Sequence, residues 1–246
     1  MPRHIPLPAY ARKPGSPVHP FPHQISMRAL EFLQGATFYP AFVDVAVGLY
    51  RDSTPDMTEN LRHAFMTVGM SQDTWDLSID ALGKYLAYFP SPVFQVALVE
   101  GLSNWDWYVG KLGKFIEFAR QHGPKPVLAK AIERNLPLIP LCSFSDQIHI
   151  LDEASGNTLR IPITFLNDVN EMVLVRNLGV HCQWEVTAHY LKSTKTIGWS
   201  LGDVREFDKN ELETWRAALY GLIRVTSRHF ADMYSKVPDF DPYKHS

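Results

Sequence analysis

Apolar residues return at alternating four- and three-residue steps through Leu98, Leu102, Trp105, Val109, Leu112, Ile116 and Ala119. That spacing marks one continuous apolar face and predicts a long bundle helix over 94–122, ended by Gly123 and Pro124. A second stripe, Leu212, Trp215, Leu219, Leu222, Thr226, His229/Phe230 and Met233, predicts a closing helix over 208–236. Asp208 and Glu211 fit the cap and N3 positions of a capping box at its start. A further helix is expected over 164–181. Shorter ones are expected over 127–135 and 144–153, separated by Pro137 and Pro140. The second of these could instead supply a hairpin strand leading to Ser155-Gly156-Asn157, but helix is preferred. Residues 182–207 read as a polar connection with one or two short strands.

Seven prolines punctuate residues 1–24, at positions 2, 6, 8, 14, 17, 20 and 22, so this arm is expected to be extended or draped rather than helical. Its His4, His19 and His23 have no preformed metal geometry. Residues 25–90 follow a helical pattern in short pieces. The first carries Met27, Leu30, Leu33 and Gln34; another carries Trp75, Ile79, Leu82 and Leu86. Pro90-Ser91-Pro92 sets a soft boundary. The expected organisation is an arm (1–24), an N-terminal helical region (25–90) and a helical domain (91–246). Nothing resembles a βαβ succession, and the class is all-α.

Composition narrows the setting. Apolar residues make up 46% and charged residues 20%, so most of the chain should fold. A net charge of -2 argues against a surface that grips nucleic acid all over, though not against a local cleft. Two cysteines, Cys142 and Cys182, build no disulfide framework and no Cys-x-x-Cys spacing. The first residues carry no secretory apolar stretch, and no run approaches the roughly 18–20 apolar residues of a membrane span. A soluble cytoplasmic protein is expected, with no membrane, metal or cofactor.

Candidate chemistry concentrates near the end of the 164–181 helix. Arg176 and Asn177 stand among Val169, Met172, Val173, Val175, Leu178 and Val180. Burying an unpaired guanidinium is costly, so such an arginine is paired, reached by solvent through a cleft, or both. His181 follows five residues later. On a straight helix that interval turns roughly 500°, leaving the two side chains about 140° apart. Gly179 and a helix end near His181 would free the backbone to redirect the imidazole. Pairing two such helices about a twofold axis would instead bring two Arg–His sets to one groove.

The run Arg176-Asn177-x-x-x-His181 resembles the Arg-x4–6-His motif of the HEPN superfamily, including its polar residue after the arginine. The flanking layout agrees over roughly 94–236: an amphipathic helix before, a polar connection with Tyr190-Leu191 and Gly202-Asp203, and a closing helix. The resemblance implies a HEPN-like helical bundle and metal-independent endoribonuclease activity, by transesterification through the RNA 2′-OH, leaving a cyclic phosphate. It implies RNA as substrate, a homodimer sharing its active-site cleft, and a role as toxin or defence effector that an antitoxin or regulator could control. Arg176 would clamp the phosphate, His181 would move the proton, and Asn177 would orient the substrate or the histidine. Family members also serve as non-catalytic modules binding RNA, nucleotide or a protein partner. In a third reading the motif merely caps a helix.

Other signals carry less. Gly198-Trp199-Ser200-Leu201-Gly202 matches a nucleophile-elbow pattern, yet 191–196 is too polar for the buried strand it needs. Cys182 reads as a semi-buried cysteine, and Trp105 as core; Trp107 is harder to place inside. Lys111, Lys114, Arg120, Lys125, Lys130 and Arg134 form a loose basic run, best read as a solvated face. Glu171 is a candidate to pair with an arginine or tune the site.

Overall fold

The structure, a computed structural model, describes residues 19–33, 92–124, 130–238 and 240. It is all-α. In chain order the elements are α1 (20–33), α2 (Pro92–His122), α3 (Lys130–Asn135), a 3-10 helix (Leu136–Leu141), α4 (Phe144–Ala154), α5 (Ile163–Cys182), α6 (Ala188–Ser193) and α7 (Lys209–Met233). Among the described residues no strand forms; Glu185 and Val204 make one isolated antiparallel bridge. No helix among them is long and apolar enough to cross a membrane. The helices expected within 34–89, and residues 127–129, lie outside the described residues.

The α2 stripe is the centre of the core. All seven of its residues are buried, joined by Tyr108 and Phe115, which widen the face beyond the repeat. Tyr108 Oη lies 2.9 Å from Thr226 Oγ1 and 3.3 Å from the Ile223 carbonyl, so the hydroxyl taken into this core is hydrogen-bonded to α7. The capping box forms: Asp208 Oδ1 accepts from Glu211 N at 2.8 Å, and Glu211 Oε2 accepts from Asp208 N at 3.2 Å. α5 packs across α7 and α2. Its approach to α7 depends on Gly221, where a Cβ would stand 2.4 Å from the Phe165 ring.

Several expectations change. The proline-rich arm gives way to helix from Pro20, within the span expected to be non-helical. Prolines in a first turn forfeit no intrahelical hydrogen bond, so Pro20 and Pro22 start α1 rather than prevent it. His19 is buried: Nδ1 accepts from Phe21 N at 3.2 Å, leaving Nε2 to donate to the Pro238 carbonyl at 3.1 Å. Ser227 Oγ donates to the Pro22 carbonyl at 2.7 Å, and Phe21 meets Phe240 edge-on at 4.7 Å. The buried face of α1 is Ile25, Ala29, Leu30 and Leu33, whereas Met27 is 46% exposed.

Pro137 and Pro140 separate α3 from α4 as expected, and the segment that holds them is itself a 3-10 helix. Residues 144–154 are helical, with Ser143 Oγ accepting from Asp146 N at the start. The 182–207 connection holds a helix where strands were expected. Thr187 Oγ1 caps it by accepting from Tyr190 N at 3.2 Å, and the pairing between 184–186 and 202–205 is too short for a ladder.

Candidate functional site

The candidate residues Arg176, Asn177 and His181 lie on α5, which buries Phe165, Val169, Met172, Val175 and Leu178 against its neighbours. The helix runs unbroken through Gly179, His181 and Cys182. Gly179 is therefore not the break that redirects His181. Its bare surface receives the Trp184 indole, and a Cβ there would stand 2.3 Å from a ring carbon. The turn comes later, at Gln183 and Trp184, with φ of 50° and 69°. Both amides donate to the Leu178 carbonyl.

On this continuous helix Arg176 and His181 are separated by about 7.5 Å of rise and about 140° of turn. One chain does not bring them to a common point. His181 is exposed; Arg176 and Asn177 are half-buried. Arg176 Nε is buried and has no hydrogen-bond partner. Its charge acts on Asp106 of α2. Burial pushes that carboxyl above its usual range, while the hydrogen bond from Gln147 and the Arg176 charge oppose the shift. Gln147, itself buried, donates Nε2 to Asp106 Oδ1 at 3.1 Å and accepts from Trp105 Nε1 at 2.5 Å. Sequence reasoning missed Asp106 and Gln147. Neither forms a motif, and only the packing of α4 on α2 joins them.

A second arginine behaves oppositely. Arg205 is 1% exposed, and its donors are spent within the fold. Nε donates to Tyr190 Oη at 2.8 Å; Nη2 reaches Glu211 at 2.7 Å and Glu171 at 3.5 Å; Nη1 donates to the Glu206 carbonyl. Its guanidinium lies 4.7 Å from the Trp199 ring centre and 5.9 Å from that of Trp215. Glu171 thus pairs with Arg205, not Arg176, and also accepts from Tyr190 Oη at 2.5 Å and Thr194 Oγ1 at 2.6 Å. Burial and the bond to Glu171 push the Tyr190 hydroxyl up to about 12. This network ties α5, α6 and α7 together. Arg205 is scaffold, whereas Arg176 retains a buried, unmatched donor.

The remaining signals resolve simply. Ser200 stands in a loop between Gly198 and Gly202, both at positive φ, with no strand before it and no helix directly after. Cys182 is half-buried with a free thiol. Trp105 is core, and Trp107 is half-buried with its ring 6.3 Å from Phe32. Arg120 of the basic run pairs with Glu133 at 3.5 Å; Lys114, Lys130 and Arg134 are exposed, and Lys125 lies outside the described residues. In comparisons with known proteins, no family model, curated protein or solved structure matches the chain.

Proposed function

We propose that this chain is a HEPN-type endoribonuclease that cleaves RNA without a metal ion, with Arg176, His181 and Asn177 carrying the site. The observation that supports this most is the contrast between two arginines, Arg205 and Arg176. Arg205 has its donors engaged by the fold, while Arg176 keeps a buried Nε unmatched, about 1.4 turns before an exposed histidine. An anionic phosphate oxygen would satisfy that donor. In the reaction, His181 takes the proton of the ribose 2′-OH or gives one to the departing 5′-oxygen. The 2′-oxygen attacks phosphorus, the P–O5′ bond breaks, and a 2′,3′-cyclic phosphate remains. Arg176 would stabilise the charge that builds on the phosphoryl oxygens, and Asn177 would orient the substrate.

Because α5 does not bend, the two groups would meet across a homodimer, with Arg176 of one protomer facing His181 of its partner. A toxin or defence role, held in check by an antitoxin, fits such an activity. The test is incubation of the purified protein with a mixed RNA pool, wild type against His181→Ala, with and without EDTA. Cleavage to cyclic-phosphate ends, lost in the variant and indifferent to EDTA, is expected. A pool left intact by wild-type protein refutes the enzyme reading; RNA bound but uncut assigns a non-catalytic module.

A further inference from the structure

His181 stands exposed in the last turn of α5, where a helix frays unless its terminal groups find partners. Here the turn is fastened from outside. Gln183 and Trp184 occupy left-handed backbone conformations, which side chains bearing a Cβ enter at a cost. Several contacts offset that cost. Trp184 N donates to the Leu178 carbonyl at 3.1 Å, and the Trp184 carbonyl accepts from Arg205 N at 2.8 Å. The indole covers Gly179 and lies 5.7 Å from the Phe207 ring. Val186 N to the Asp203 carbonyl, at 2.7 Å, continues the fastening. Two residues of helix turn the bare surface of Gly179 about 160° away from His181. The indole therefore grips the side of the helix opposite the imidazole and leaves the imidazole open.

We propose that Trp184 is a positioning residue for His181: seated on Gly179, it fixes the final turn of α5 and presents the imidazole in one orientation. The inference rests on reading Arg176 and His181 as a ribonuclease site. Its test uses the full chain and two readouts. The first is the NMR signal of the His181 Cε1–H, assigned by its loss in His181→Gln. The second is RNA cleavage. Wild type gives one narrow signal. In Trp184→Ala and Gly179→Ala that signal broadens or splits, while the signal of His229, remote on α7, stays single. The kcat falls about tenfold or more, with KM within about twofold. A His181 signal unchanged in folded variants overturns the proposal, as does equal broadening of His229. Should Trp184→Ala fail to fold, Gly179→Ala decides in the same way, because it keeps the indole and removes its seat. If wild type leaves RNA intact while the His181 signal splits in the variants, the nuclease reading fails and the hold of Trp184 on His181 stands. If wild type cleaves RNA and the variants keep the wild-type signal, the positioning role fails and the nuclease reading stands.

Discussion

Glu211 accepts from Arg205 at 2.7 Å with one carboxylate oxygen and closes the α7 capping box with the other. One side chain therefore starts a helix and anchors a buried cation. Removing Arg205 would leave the buried Glu171 carboxylate without a cation, held only by the Tyr190 and Thr194 hydroxyls. Arg205→Ala should cost about 3–5 kcal/mol of stability, as for a broken buried ion pair. Arg176→Ala should change stability by no more than about 1 kcal/mol. Urea unfolding of the two variants checks this, and equal losses would contradict the division between a scaffold arginine and one with an unmatched donor.

The seat of Phe165 on Gly221 makes a second prediction. A methyl group at 221 would meet the ring at 2.4 Å, so Gly221→Ala should destabilise by about 1–3 kcal/mol despite alanine's better helix propensity. Phe165→Leu in the same chain should recover part of the loss. A double-mutant cycle with no coupling between the two positions would show that α5 and α7 do not meet here.

Alkaline pH should weaken the fold through Tyr190. Its hydroxyl is held at about 12 in the folded chain against an ordinary 10.0. The stabilising contribution is complete below pH 10 and disappears as pH rises towards 12, because the unfolded chain releases its proton first. Unfolding free energy should therefore fall across that window, and less steeply in Tyr190→Phe. Tyr234, pushed by burial to about 12, acts with the same sign and leaves a residual slope. Identical slopes for wild type and Tyr190→Phe would show that Tyr190 titrates freely.

The proposed site shared between protomers also makes a mixing prediction. Arg176→Ala and His181→Ala proteins should each be inactive on RNA, yet regain about a quarter of wild-type activity once their protomers exchange. Half the dimers are then mixed, and each mixed dimer carries one intact site. No recovery, with exchange verified by differently tagged subunits, would place the chemistry within a single chain.

The sequence disclosed what is local. The α2 stripe and the Asp208–Glu211 box depend on residues a few positions apart and are plain in the string, while α5 is marked by its nearly unbroken apolar run. Arg205 was not legible as a buried cation, because its partners come from positions 171, 190 and 211 and its ring neighbours from 199 and 215. Gly179 was legible as special but for the wrong reason. Its permissive backbone suggests a break, whereas the helix uses its missing side chain as a berth for Trp184. The motif itself was readable from residue order; that its arginine and histidine diverge on an unbroken helix needed the helix end to be located.

The contact between His19 and Pro238 spans 219 positions. In a chain made from its amino end, α1 is synthesised early, yet Ser227 and Ala231, which receive it, belong to the last helix. Those contacts cannot form until α7 itself has been made, although α2 already offers Phe115 to Phe21 and Trp107 to Phe32. A chain cut short before α7 should leave the His19 amide and the Pro22 carbonyl without these partners, and limited proteolysis should cut α1 faster there than in the full chain.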